Sequence, residues 1–142
     1  MDWNQSLNSL IIWADNRGYH VEFVKGGDDS ICYISKLIII NSSSPLETQV
    51  IRLLHECGHA LIFDNGSVFD FKGKRNYDEN SVAHKVFTVI EEAEAWRRGK
   101  ELSTRLNIPL DENIWERSMV KALKKHINWA SDLKQKDEIN ED

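Results

Sequence analysis

The chain has 142 residues, which suits a single domain large enough to bury a hydrophobic core. Apolar residues make up 41% of it and charged residues 29%, as in an ordinary soluble globular protein. Its formal net charge of −5 gives no general attraction to nucleic acid or to an anionic membrane, so we expect neither as a partner. We expect one domain over residues 1–133 and a disordered polar tail, KQKDEINED, over residues 134–142.

The first residues give no sign of export or membrane insertion. Met1 is followed by Asp-Trp-Asn-Gln instead of a basic segment and a long apolar run, so the sequence predicts neither a secretory signal nor a membrane span. We therefore expect a cytoplasmic protein.

The N-terminal part of the chain is predicted to form one helix and three strands. Apolar residues recur at helical spacing from Asp2 to Arg17, and Gly18 follows where a C-terminal cap is expected. Alternation over residues 20–24 and the β-branched runs 31–34 and 37–40 then predict strands. The result would be a small antiparallel sheet of about three strands.

Three further helices are predicted in the rest of the chain. Ser44-Pro45 starts a helix that runs to about Asp64, and helical spacing resumes at Val82 and again after Asp111. Residues 66–80 are mostly polar and are expected to form either a flap over a functional site or a surface loop. The fold class is therefore predicted to be α+β.

The second predicted helix carries the pattern H-E-x-x-H at His55, Glu56 and His59. Two histidines four residues apart lie one turn apart on one face of a helix, so both imidazoles can reach one metal ion. Glu56 cannot easily share that ion, but it can reach a water molecule bound to it, which is the general-base role in zinc peptidases. The motif predicts a zinc site with His55 and His59 as ligands and Glu56 as the catalytic base.

The surroundings of the motif favour a buried site. Ile51, Leu54, Leu61 and Ile62 occupy helical apolar positions around the histidines, and Gly58 suggests that another element approaches closely there. The alternative is a core helix whose histidines make ordinary hydrogen bonds.

A catalytic zinc ion uses three protein ligands and one open position, so a third ligand must come from another part of the chain. The third predicted helix offers Glu91, Glu92 and Glu94. A face running through Glu92 and the small residues Ala95 and Gly99 would let this helix lie close to the motif helix. Glu92 is therefore the predicted third ligand.

Several alternatives to Glu92 stay open at this point. Glu94 lies nearer the main apolar stripe, and Glu91 could pair with Glu94 as ligand and supporting group. His84 is a weaker choice. The acidic run could also be a solvated face paired with the basic residues at 97, 98 and 100.

These residues predict zinc-assisted peptide hydrolysis. Zinc would lower the pKa of its bound water, and Glu56 would take the proton of that water and pass it to the leaving amine. Tyr77 and His84 are the candidates for stabilising the oxyanion. His126, in the apolar pattern of the last helix, is expected to be a histidine at the edge of the core.

The strand Leu37-Ile38-Ile39-Ile40-Asn41, the following Ser44-Pro45 and the helix with LLHECGHALIF resemble the core of the ImmA/IrrE-type zinc metallopeptidases. In that family a later helix with a pattern close to E-x-E-A-N-x-F-A supplies the third ligand. The run Glu92-Ala93-Glu94-Ala95-Trp96 matches its first part with Glu92 on the ligand position, whereas Trp96 and Gly99 depart from it.

The resemblance implies a minimal zincin-like domain with a three-stranded sheet, the H-E-x-x-H helix and three further helices. It also implies cytoplasmic hydrolysis of a protein or peptide substrate, often a repressor-like regulator. The alternative from another class is a non-catalytic metal-containing protein that binds a regulator without cutting it. A purely structural zinc domain is less favoured, because Glu56 has no structural purpose beside the ligands. The sequence alone predicts no oligomeric state.

Overall fold

Four helices and a three-stranded sheet make up the residues that the structure, a computed structural model, describes: 2–64 and 77–132. The helices are α1 (Trp3–Asn16), α2 (Leu46–Asp64), α3 (Val82–Arg105) and α4 (Glu112–Ser131), and the strands are β1 (His20–Val24), β2 (Ser30–Cys32) and β3 (Leu37–Asn41). The predicted α+β class is confirmed. Most of the predicted flap or loop at 66–80 and the predicted tail at 134–142 lie outside the described residues.

The sheet is mixed, which corrects the prediction of a purely antiparallel one. Its strand order is β1-β3-β2, with β3 parallel to β1 and antiparallel to β2. The three strands alternate in direction along the chain, so placing β3 in the centre makes its pair with β1 parallel. Strand β3 takes the centre because it is the most apolar of the three, with Ile38 and Ile40 fully buried.

Strand β2 is shorter than predicted. It ends at Cys32, and residues 33–36 form a turn in which Lys36 has a φ of 53°. The β-branched Ile34 therefore points into solvent, 98% exposed. The ring of Tyr33 instead stacks on Phe63 at a centroid distance of 4.5 Å, which ties this turn to α2.

Local signals set the helix boundaries as predicted. Asp2 and Gln5 form a capping box at the start of α1, with hydrogen bonds of 2.8 and 2.9 Å, and Gly18 follows its end with a φ of 85°. Ser81 caps α3, and Asp111 caps α4. Helix α2 begins one residue after the predicted Pro45.

The helices α2 and α3 cross at unusually short range. A Cβ atom at Gly58 would overlap the carbonyl oxygen of Ala95, and one at Gly99 would lie 2.6 Å from the carbonyl oxygen of Leu54. Only glycine fits at these two positions, so the predicted close approach at Gly58 is confirmed. The crossing fixes the metal motif of α2 against the acidic run of α3.

Helix α4 packs on the outside of this pair. Trp115 is its one buried residue, and the ring of Trp115 meets that of Trp96 from α3 edge to face, 5.0 Å between centroids. Within residues 2–64 and 77–132, no helix combines the length and the apolar character that a membrane span needs.

Candidate metal centre

The structure brings the predicted ligands His55, His59 and Glu92 together between α2 and α3. Glu92 Oε2 lies 3.3 Å from His55 Nε2 and 2.6 Å from His59 Nε2. The two imidazole rings lie one turn apart with their centroids 4.8 Å apart. All three side chains are largely shielded from solvent, with exposures of 13%, 9% and 12%.

This arrangement has the size and chemistry of a metal site. One ligand atom each from His55, Glu56 and His59 lies within 4.8 Å of the other two, a group that could hold a metal ion. Tetrahedral zinc ligands at about 2.0–2.1 Å from the ion lie about 3.3 Å from each other, which matches the 3.3 Å between His55 Nε2 and Glu92 Oε2. The 2.6 Å between His59 Nε2 and Glu92 Oε2 is a direct hydrogen bond, which a bound ion would replace and lengthen. Two imidazole nitrogens and a carboxylate oxygen therefore fit a divalent cation.

Glu56 lies beside the predicted ligands, in contact with His55 but with no lysine or arginine partner among the described residues. Its side chain is 6% exposed, and Oε2 is buried with no hydrogen-bond partner among the described residues. Its Oε1 lies 3.8 Å from His55 Nδ1. Burial raises the pKa of Glu56 above its ordinary value, although the two histidines act in the opposite direction. A buried acid of this kind is suited to accept a proton.

Glu94, one alternative for the third ligand, is held by arginines. Its Oε1 accepts a hydrogen bond from Arg98 Nε at 2.9 Å, and both carboxylate oxygens accept from Arg97 Nε at 3.1 Å. The hydrogen bond from Arg97 is the main cause of the lowered pKa of Glu94. Glu94 is thus paired with Arg97 and Arg98, as the interpretation of the acidic run as a solvated face expects, but it is buried and not solvated.

Glu91, the other alternative, lies behind His59. Its Oε1 is 3.7 Å from His59 Nδ1, the ring nitrogen that points away from Glu92. A carboxylate that hydrogen-bonds to the second ring nitrogen of a ligand histidine orients that ring. At 3.7 Å the contact from Glu91 is too long for a hydrogen bond, so Glu91 acts on His59 through its charge.

The charges of this group shift the pKa values of His59 and Glu92 in opposite directions. Burial disfavours the charged form of His59, but the carboxylates of Glu91 and Glu92 outweigh it and raise the pKa of His59 to about 10. Burial also works against ionised Glu92, yet hydrogen bonds from His126, His55 and His59 lower its pKa far below the usual range. A metal ion that binds here displaces a proton from His59, so its affinity is expected to rise with pH.

His126 is one of two residues at this site whose role sequence reasoning missed. Its Nε2 lies 3.1 Å from Glu92 Oε1, so α4 reaches the carboxylate oxygen that does not face His59. The helical pattern predicted only a histidine at the core edge, and no spacing in the sequence connects His126 with the motif. Its side chain is 34% exposed, at the mouth of the site.

Trp96 is a second missed residue. Its ring stacks on the imidazole of His55, with centroids 4.4 Å apart and planes inclined by 15°. Trp96 follows Glu92 by one helical turn, so both side chains lie on the face of α3 that meets α2. The residue that departs from the family pattern thus fixes the orientation of a predicted ligand.

Tyr77 and His84, the predicted oxyanion candidates, do not reach this site. Tyr77 stacks on Phe87 at 5.8 Å, and His84 lies about 12 Å along the helix axis before Glu92. Neither lines the two cavities, of about 560 and 260 Å³, that open on the group. His84 lies in the first turn of α3, two turns before the acidic run, and Tyr77 precedes the helix. The geometry therefore gives the oxyanion prediction no support.

The larger cavity is a cleft with walls from several parts of the chain, Glu92 of α3 among them. His55 and Glu56 come from α2, His126 comes from α4, and residues 27–29 come from the loop between β1 and β2. Its volume of about 560 Å³ is of the order of a binding site for a small molecule or a few peptide residues. The ligand group is therefore accessible from one side.

Comparison of the chain with models of protein families, with curated proteins and with solved structures finds no match. The resemblance to the ImmA/IrrE-type metallopeptidases stays a prediction, and the functional argument depends on the geometry of the site.

Proposed function

We propose that this protein is a zinc-dependent peptidase of the H-E-x-x-H type that acts in the cytoplasm on a protein or peptide substrate. The observation that carries the proposal is the convergence of His55, His59 and Glu92 around one point, with Glu56 buried beside them and its Oε2 without a hydrogen-bond partner among the described residues. A repressor-like regulator is the substrate that the resemblance to ImmA/IrrE-type enzymes implies.

The ligand set favours zinc in a catalytic role. Two imidazoles and one carboxylate are three protein ligands of the kind that catalytic zinc sites use, whereas structural sites are closed by four. The cleft that reaches His55 and Glu92 leaves one side of the group open. When bound, zinc supplies Lewis acidity and lowers the pKa of a coordinated water molecule towards neutrality.

The remaining roles, proton transfer and the positioning of the ligands, belong to side chains of this protein. Glu56 accepts a proton from the attacking water and delivers it to the leaving amine, and its raised pKa suits both transfers. His126 is a positioning residue, because its contact with Glu92 Oε1 directs the other oxygen, Oε2, towards the two histidines. Trp96 holds the ring of His55.

The substitution Glu56→Gln tests the proposal directly. It keeps the shape of the side chain and all three metal ligands but removes the proton acceptor, so we expect unchanged zinc content and a loss of peptide hydrolysis of about a hundredfold or more. Zinc is measured by elemental analysis, and hydrolysis by mass spectrometry of a random-sequence peptide mixture. Treatment of the wild type with a chelator is the control, and zinc should restore its activity.

Full hydrolysis by Glu56→Gln, or hydrolysis by the wild type that survives complete zinc removal, would overturn this mechanism. A zinc-loaded wild type that binds peptides without producing fragments would instead support the non-catalytic binding protein.

A further inference from the structure

The wall of the cleft that α4 contributes carries two lysines. Lys121 and Lys125 are one helical turn apart, both are exposed, and both line the cleft together with His55, Glu56 and Glu92. Two like charges at this spacing repel each other and weaken the helix that carries them. Neither lysine forms an ion pair with another described residue.

Most other charges in the cleft are already matched. Arg52 lies 3.6 Å from Asp29, and Glu92 is surrounded by histidines. Asp28, on the opposite wall, is the acidic residue of this lining for which the described residues provide no ion-pair partner. The cleft is thus polarised, with unmatched positive charge on the α4 side, although the whole chain carries a net charge of −5.

We propose that Lys121 and Lys125 bind a carboxylate of the peptide substrate, so that the enzyme prefers acidic peptides. This inference rests on the proposed peptidase function and names the substrate class for it. The carboxylate comes either from an Asp or Glu side chain or from the C-terminus of the peptide, and both sources present the same charge to the lysines.

The position of the lysines relates this carboxylate to the bond that is cut. Lys125 directly precedes His126, which contacts Glu92, and Lys121 lies about 6 Å further along the helix axis. An extended peptide advances about 3.3 Å per residue, so the bound carboxylate should lie within about three residues of the scissile bond.

Four mixtures of random-sequence peptides test the proposal, with Glu or Gln fixed at the central position and with a free or an amidated C-terminus. The zinc-loaded wild type should cleave at least one acidic mixture about tenfold faster than the mixture with Gln and an amidated end. The double variant Lys121→Gln/Lys125→Gln should lose this preference, whereas Lys121→Arg/Lys125→Arg should keep it. Lys124→Gln is the matched control, because Lys124 does not line the cleft and borders the neighbouring groove on α4, which it shares with Lys121.

The mixtures also distinguish the two sources of the carboxylate. A preference for Glu with either end identifies a side chain, and a preference for the free end with either central residue identifies the C-terminus. Equal cleavage of all four mixtures by the wild type overturns the proposal, as does a preference that the double Gln variant retains.

A binding measurement separates this inference from the proposed function. Zinc-loaded Glu56→Gln protein, with and without the double Gln substitution, is immobilised, and retention of the four mixtures is compared. Retention of acidic peptides that depends on the lysines supports the carboxylate site even if the wild type cuts no peptide. Retention that ignores the peptide charge, or no retention of any mixture, overturns it.

Discussion

The α2–α3 pair and helix α4 contribute to the same site in very different ways. Twelve of the 19 residues of α2 are buried, whereas α4 buries one of its 20. The predicted ligands and Glu56 lie on the buried pair, and His126 with the two cleft lysines lies on the more exposed helix. Under the proposed function, α2 and α3 hold the chemistry, while α4 adjusts it and contacts the substrate.

Substitutions in the two regions should therefore have different consequences. A change at the α2–α3 crossing should affect folding and metal binding together, because the same contact supports both. A change on the cleft face of α4 should affect metal affinity or substrate preference and leave folding almost intact. The following predictions test this contrast.

The largest effect is expected from Gly58→Ala. The added methyl group would overlap the backbone of Ala95, and backbone cannot move aside as a flexible side chain can. We expect the free energy of unfolding to fall by about 1–3 kcal/mol or more, as for other overpacked interiors, and zinc affinity to fall with it. Denaturant unfolding and competitive zinc titration measure the two quantities.

Gly27→Ala is the matched control for this substitution. A Cβ atom there would meet only the side chain of Val24, at an ordinary 3.8 Å. We expect it to unfold at nearly the wild-type denaturant concentration. Equal stability of Gly58→Ala and wild type would contradict the close crossing of α2 and α3.

A smaller effect, on zinc affinity and not on folding, is expected from Glu92→Gln. Replacing a residue that only hydrogen-bonds to a metal ligand typically weakens metal binding by about 10–100-fold. Loss of a ligand carboxylate should weaken zinc binding by more than that. Glu94→Gln, two residues away, should leave zinc affinity nearly unchanged, because its carboxylate is engaged by Arg97 and Arg98. Zinc affinity lost in Glu94→Gln and kept in Glu92→Gln would reverse the assignment.

Helical periodicity explains how much of the α2–α3 half could be predicted. The four-residue spacing of His55 and His59, and the small residues that follow Glu92 at three and seven positions, are local patterns that report which side chains share a helix face. The glycine at position 58, inside a helix, also indicated that the backbone of another element lies close to it. These signals suffice to bring the three predicted ligands together, because each concerns residues within about two turns of one helix.

The remaining features depend on how distant elements dock, which local patterns do not report. His126 reaches Glu92 only because Trp115 packs on Trp96 and sets the position of α4. The parallel pair of β1 and β3 follows in the same way from strand order, since β3 lies between strands that precede it in the chain. Apolar patterns predicted that each of these helices and strands exists, but they did not predict which other element each one packs against.

The smallest effect is expected from His126→Asn, which tests whether α4 acts on the metal through Glu92. The shorter amide of Asn cannot reach the position of His126 Nε2 and so loses the 3.1 Å contact with Glu92 Oε1, and zinc affinity should fall by about tenfold. The visible spectrum of cobalt-substituted protein should also change, because Glu92 would be free to reorient. Denaturant unfolding of the metal-free protein should change little, because His126 is partly exposed.

His20→Asn, at an exposed histidine of β1, is the control and should change none of the three quantities. An unaltered affinity and cobalt spectrum in His126→Asn would mean that α4 shapes the cleft without influencing the ligand.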